Sequence, residues 1–337
     1  MKSVCLKQPG EISLVDVPLA KRGKNQILIK VRSAGICGSD IGAYKGINPL
    51  VTYPRIIGHE IAGEVIEVPD DETTLMPGDR VVLEPYVYCG TCYPCSIGHT
   101  NCCENLTVLG VHIDGGMAEY ISHPRHLVHK APNSIPWELL PLAEPLVISM
   151  HAVNQPKVVA GEHVVITGCG QIGLLCALYA LILGAIPIVV DPVKERLERA
   201  RSLGVPYVID PVGEDPIARI KEITHGRMAE VVIEASGDAR AVRNSIDYVA
   251  YAGRISFVGY SKADTPMPTS LFTKKELTIV GSRNSVGKFP ESLRLIAEGK
   301  VDVSALLTKT VSMDDVPATV VDIAEHPDRY LKVTCLF

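Results

Sequence analysis

From about Gly161 the chain alternates short apolar runs, rich in Val and Ile, with amphipathic stretches. The apolar runs predict strands at His163–Thr167, Ile186–Asp191, Tyr207–Asp210, Glu230–Ala235, Arg254–Gly259 and Glu276–Gly281. Between them lie helix-like segments such as KERLERARSLG and DPIARIKEITHG. Six strands separated by helices predict an α/β unit with a doubly wound parallel sheet.

The longest uncharged stretch, Val164 to Val190, has the length of a membrane span. Gly168, Gly170, Gly173, Gly184 and Pro187 break it into strand, tight turn, buried helix and second strand, so no membrane segment is expected. The first of these turns, TGCGQIG, gives G-x-G-x-x-G at Gly168, Gly170 and Gly173. The motif alone is weak evidence, but here it follows a strand and opens a helix. Gly168 permits the turn, Gly170 lets a pyrophosphate approach the backbone, and Gly173 lets helix and strand pack closely. Asp191 ends the next strand, where a carboxylate accepts both ribose hydroxyls of NAD and repels the 2′-phosphate of NADP. The alternative role for Asp191 is a helix cap before KERLERA.

Composition excludes several classes. A formal charge of −5 with no basic run leaves no footprint for nucleic acid. The N-terminus, MKSVCLKQPGEISLVD, carries charges too early for a signal peptide, so a cytoplasmic protein is expected. The remaining feature is YCGTCYPCSIGHTNCCE, Tyr88–Glu104, with five of the ten cysteines. Its spacing from Cys89 is C-x2-C-x2-C-x7-C, through Cys92 and Cys95 to Cys103, with Cys102 just before the last. In a reducing compartment such crowding favours metal thiolates over disulfides. Four thiolates close a tetrahedral shell around a structural zinc; an iron–sulfur cluster and a set of free thiols are the alternatives.

Three further stretches set metal-capable side chains in apolar surroundings: AGICGSD (Ala34–Asp40), IIGHEIAGEV (Ile56–Val65) and PLAEPLVISMHAV (Pro141–Val153). Singly, Cys37, His59 and Glu144 have structural readings as a small hydrophobe, a satisfied core histidine and a helix-start carboxylate. Together with the cysteine loop, DGGMAEY at Asp114–Tyr120 and the dinucleotide turn, they make the whole chain resemble the zinc-containing medium-chain dehydrogenase/reductase family, which includes alcohol, sorbitol and threonine dehydrogenases.

The resemblance implies a GroES-like, mostly-β catalytic domain from residues 1–155 and 285–337, carrying the structural zinc loop 88–104. It also implies a Rossmann NAD-binding domain over 156–284, with the active site in the cleft between the two. It implies two zincs per chain. Cys37 and His59 match the catalytic ligands, and Glu60 and Glu144 match carboxylates that ligate directly or through water. For the structural zinc it selects Cys103 over Cys102. Three protein ligands leave one exchangeable position for a substrate oxygen. Ser39 matches the hydroxyl that starts the family's proton relay, whereas Gly42 stands where many members carry a histidine. Gln171, Ile172, Arg196, Ser236, Val258, Ser282 and Arg283 join the glycines and Asp191 as expected cofactor contacts.

TNCCE, LGVHIDGG, EPLVISMHAV and GSRNS look most like sugar-acid dehydrogenases, especially the L-galactonate 5-dehydrogenase group. The expected substrate is a small polyhydroxylated molecule, oxidised at a secondary alcohol of a polyol, sugar acid or cyclitol. Lys45, Arg55, His112 and Arg283 are candidate partners for a substrate carboxylate. The resemblance further implies a homo-oligomer, a tetramer or dimer, with Glu276–Gly281 at the sheet edge. A zinc-independent enone or quinone reductase and a silent NAD-binding regulator are the competing readings.

Overall fold

A computed structural model describes residues 1–260 and 264–337 and divides the chain into two compact units. The first joins Met1–Glu144 to Val286–Phe337, and the second is Pro145–Ser285.

In the first unit the central strand is Gln26–Ile36, whose residues are buried on both faces, Ile27, Ile29 and Val31 completely. It pairs antiparallel with Glu60–Glu67 on one side and with the C-terminal strand Lys332–Leu336 on the other. The sheet runs Val128–Lys130, Arg80–Leu83, Glu60–Glu67, Gln26–Ile36, Lys332–Leu336, Leu307–Ser312, with Tyr120–Pro124 also pairing the central strand. Both ends of the chain are therefore needed to complete one sheet. A smaller sheet of Glu11–Asp16, Lys2–Gln8 and Arg55–Ile56 packs with it through Val4, Leu6, Ala34, Ile36 and Met117.

The second unit is a parallel six-stranded sheet in the order Tyr207–Ile209, Ile186–Val190, His163–Thr167, Ala229–Glu234, Val249–Phe257, Thr278–Gly281. Strand order reverses between His163–Thr167 and Ala229–Glu234, which places a crevice at their carboxyl ends. The core is Val165, Ile188, Ile209, Val232, Ile246 and Ile255, all fully buried.

Five of the six strands begin and end within two residues of the expected bounds. The exception begins at Val249 rather than Arg254. Its register shifts between Ala229 and Val231, and Ala252 takes φ +56°, so a bulge hides the strand inside the turn-like residues VAYAG. Glu276, expected to start the last strand, is instead the left-handed cap of the helix Thr269–Lys275. The units divide at residue 144 rather than 155. The helix Ala143–Asn154 explains this: Ser149 Oγ donates to Ile172 O (3.1 Å) and Cys176 Sγ lies 3.7 Å from Ser149 O. Among the described residues no helix is long and apolar enough to cross a membrane.

Candidate functional site

The four sulfurs of Cys89, Cys92, Cys95 and Cys103 all lie within 4.8 Å of one another. Neighbouring pairs are 3.4 Å (Cys92–Cys95), 3.5 Å (Cys89–Cys103) and 3.8 Å (Cys92–Cys103) apart. A tetrahedron with Zn–S bonds of about 2.3 Å has edges of about 3.8 Å, so the cradle has the size of a four-thiolate zinc site. None of the cysteines is in a disulfide. Backbone N–H groups point at the sulfurs, Cys89 N and Asn105 N at Cys103 Sγ (both 3.3 Å) and Thr91 N at Cys89 Sγ (3.5 Å). The Thr91 N–H and hydroxyl bring the Cys89 thiol down to about 5. Cys102 lies outside the four-sulfur group.

A second group forms where strands meet. Gly35 pairs with Glu60, and Ile36 pairs with Val333, so the sheet register sets Cys37, Glu60 and Lys332 side by side. His59 precedes Glu60, and donor atoms of Cys37, His59 and Glu60 come within 4.8 Å of one another. His59 is 6 % exposed, and its Nδ1 is buried with no hydrogen-bond partner among the described residues. Asp40 Oδ1 lies 3.8 Å from this nitrogen. A thiol, an imidazole and a carboxylate gathered within 4.8 Å form a donor set that suits zinc. Burial acts to lower the His59 pKa, but the adjacent Cys37 thiolate and Asp40 carboxylate outweigh it and hold the pKa well above the usual value. Asp40 Oδ2 also accepts the Cys37 N–H (2.9 Å), fixing the turn that presents the sulfur. Ser39 Oγ lies 3.5 Å from His59 Nε2.

The two glutamates are held by partners that sequence reasoning missed. Both Glu60 oxygens sit 2.6 Å from Lys332 Nζ, and neither residue is more than 1 % exposed. Lys332 also donates to Ile36 O (3.2 Å). A Cβ on Gly35 would stand 1.9 Å from Glu60 Oε2, so only glycine leaves room for the carboxylate. The one signal for Lys332 was a lysine at the head of the C-terminal strand KVTCL, whose other residues carry no charge. Glu144 accepts a hydrogen bond from the buried Tyr86 hydroxyl. Burial raises the Glu144 carboxyl to about 7.

Near the position expected for a relay histidine, Asn48 approaches Gly42: a Cβ there would be 3.7 Å from Asn48 Cβ. Among the expected substrate cations, Arg55 is committed to Asp114 (3.1 Å) and Thr52 (2.7 Å). His112 Nδ1 accepts the Val108 N–H (3.1 Å), and Lys45 is exposed.

In the second unit the glycine turn has the expected form. Gly168 has φ +89°, and a Cβ on Gly173 would be 1.8 Å from Gly168 O. Nothing lies within 4 Å of a Cβ built on Gly170, which heads the helix Gln171–Ile182. Asp191 is 2 % exposed and accepts Cys169 N (2.6 Å) and Val193 N (2.8 Å), with Arg196 Nη1 at 3.7 Å. Ser236 faces Gly168 across the crevice, and the unexpected Glu234 fixes it by accepting Ser236 N (2.9 Å), Ser236 Oγ (2.5 Å) and Gly237 N (3.0 Å). Val258 N donates to Glu234 O (2.9 Å), and Ser282 N donates to Phe257 O (2.8 Å). Gln171 Nε2 and Ser282 Oγ are buried without partners among the described residues. Ile172 is tied to Ser149, and Arg283 is exposed beyond the edge strand.

Comparison with known proteins follows the same division. Residues 23–133 match the alcohol dehydrogenase GroES-like domain, and residues 172–298 match the zinc-binding dehydrogenase domain. An uncharacterized zinc-type alcohol dehydrogenase-like protein of Haemophilus influenzae is 52 % identical, over 100 % of this chain and 99 % of its own. The L-galactonate-5-dehydrogenase of Escherichia coli K12 is 38 % identical over 91 % of each chain. The crystal structure of the short chain alcohol dehydrogenase rspB of E. coli CFT073, complexed with cofactor NADH, superposes with a TM-score of 0.93. It is 31 % identical, over 100 % of this chain and 99 % of that one.

Proposed function

Because the chain belongs to the zinc-binding alcohol dehydrogenase family, we propose that it oxidises a secondary alcohol of a polyol, sugar acid or cyclitol, with NAD as hydride acceptor. The observation that carries this reading is the convergence of Cys37, His59 and Glu60, whose donor atoms lie within 4.8 Å of one another. Those three residues, with Glu144 beside them, would hold a catalytic zinc, and the four cysteines would hold a structural one. When bound, zinc supplies Lewis-acid activation of the substrate hydroxyl and the nicotinamide supplies the hydride acceptor.

The chain's own residues do the rest. Ser39 Oγ, 3.5 Å from His59 Nε2, would take the substrate proton. With glycine at position 42, the proton leaves by water or by cofactor hydroxyls rather than by an imidazole. Asp40 holds the Cys37 turn and faces His59. The open backbone at Gly170 and the helix behind it would receive the pyrophosphate. The buried Asp191 carboxylate would accept the ribose hydroxyls and repel a 2′-phosphate, which supports NAD over NADP. Similarity to L-galactonate-5-dehydrogenase, at 38 % identity, supports a sugar acid within the substrate class. We place the protein in the cytoplasm as a homo-oligomer, paired through the free edge of Thr278–Gly281.

The test is a screen for NADH and NADPH formation with metal counted per chain, over L-galactonate and other aldonates, hexitols, inositols, threonine and simple secondary alcohols. Two zincs with NAD-linked turnover of one polyhydroxylated class is the expected result. One zinc without turnover of any alcohol would remove the catalytic assignment, and preferential NADPH formation would remove the reading of Asp191.

A further inference from the structure

Tyr86 belongs to two places at once. Its ring is 3 % exposed and forms a small core with Cys103 and Leu106, against which Tyr88, Cys92, Cys95 and Val108 pack. It lies on the two-residue strand Tyr86–Val87, paired antiparallel with Thr107–Val108, three residues before Cys89. Its hydroxyl leaves that core and donates to Glu144 Oε1. Glu144 is 3 % exposed, and its field reaches the His59 ring. The four-cysteine lobe therefore ends in a rigid aromatic lever whose polar tip holds a carboxylate of the proposed catalytic centre.

We propose that Tyr86 is a positioning residue that sets Glu144 for the catalytic metal and couples it to occupancy of the four-cysteine site. This rests on the dehydrogenase reading above. A buried carboxylate keeps the orientation of its strongest donor, because losing that donor leaves a lone pair unsatisfied in a dry site. The ring of Tyr86 has no freedom of its own while Cys103 and its neighbours are gathered on an ion. When the lobe empties, the sulfurs repel or protonate, the small core loosens, and the hydroxyl loses its fixed point.

The experiment uses the full-length protein with zinc on the four cysteines and cobalt(II) exchanged into the Cys37–His59 site, read by its visible ligand-field bands. Tyr86→Phe keeps the ring in the lobe core and removes only the hydroxyl. It is expected to alter the cobalt bands and to lower kcat about 10- to 100-fold, the usual cost of losing an outer-shell partner, while leaving KM for the cofactor unchanged. Tyr88→Phe, whose ring meets His126 edge-on rather than Glu144, is expected to leave bands and kcat as in the wild type. Selective removal of lobe zinc from the wild type is expected to reproduce the Tyr86→Phe bands, and removal from Tyr86→Phe to add nothing further.

Wild-type bands in Tyr86→Phe, or in the zinc-stripped wild type, would overturn the proposal. Should Tyr86→Phe lose the lobe, the stripped wild type carries the same decision. Absence of a thiolate-to-cobalt charge-transfer band in the wild type overturns the dehydrogenase reading as well. Its presence with unresponsive ligand-field bands overturns the positioning role alone.

Discussion

The four-cysteine lobe gathers its sulfurs within residues 89–103, whereas Cys37, His59 and Glu60 meet only because strands far apart in sequence lie side by side. In the lobe, backbone N–H groups of Cys89, Thr91 and Asn105 serve the sulfurs directly. In the other group the supporting partners are side chains brought from a distance, Lys332 onto Glu60 and Tyr86 onto Glu144. A loop that builds its own cradle has all four donors turned inward, so its metal stabilises the fold and has no position left for a substrate. A group assembled by sheet register offers three different donors and a carboxylate shared with a lysine, an arrangement that leaves a metal position for substrate under the proposed function.

The sharpest way to break that contrast is His59→Ala. The expected outcome is loss of one of two bound metals and a fall in kcat/KM of about 10³-fold or more, since Lewis-acid stabilisation is worth several kcal/mol. Thermal stability should change little, and the lobe should keep its metal by direct metal analysis. Retention of both metals would mean that the two groups do not divide the work as described. Cys103→Ser is the mirror experiment. Cys103 is 2 % exposed and central to the lobe core, so chemical denaturation should register a loss of several kcal/mol together with loss of the lobe metal. A variant as stable as the wild type would make the lobe a mere appendage.

How much of this was legible beforehand follows the same contrast. The lobe could be read from spacing because its geometry is local. The glycine turn was equally legible as a turn, since Gly168, Gly170 and Gly173 lie within one strand–turn–helix. Cys37, His59 and the glutamates became candidates only through the family's motifs, because no periodicity says which strands are neighbours. Lys332 and Tyr86 were missed altogether. One is 272 residues from its partner and the other 58, and no motif marked either of them. Glu234 was missed because a carboxylate at a strand end reads as surface until the loop folds over it. The start of the bulged strand at Val249, rather than Arg254, was missed because its turn-like residues mask the alternation.

Lys332→Met sharpens the comparison from the side of the open group. Burial acts to lower the Lys332 pKa, and the Glu60 carboxylate overrides it, so the ammonium stays charged in a site with no water access. Methionine keeps the volume but removes the ammonium that both buried Glu60 oxygens contact. Removing one partner of a buried pair costs about 3–5 kcal/mol, to be measured by urea unfolding. A Lys332→Met, Glu60→Met double variant should recover most of that stability while losing turnover. That outcome would separate the structural cost of the pair from its chemical use, a separation the lobe does not allow.

The smallest expected effect lies at the root of the lobe. His123 is 1 % exposed, and its Nε2 lies 2.8 Å from the carbonyl of Glu84, two residues before Tyr86. Burial lowers its pKa from 6.5 to about 4, so the folded protein keeps this ring neutral while the unfolded chain protonates it. The unfolded state therefore binds the extra proton between these values. The stabilisation is complete above pH 6.5 and is lost progressively as pH falls toward 4. At pH 5 the loss amounts to about 2 kcal/mol from this ring alone. His123→Gln, which keeps a donor for the Glu84 carbonyl and cannot titrate, should have a flatter stability profile between pH 7 and pH 5. If acid loosens the lobe through its thiolates alone, the two profiles will run parallel; if the root contributes, they will diverge below pH 6.5, with the glutamine variant the less acid-sensitive.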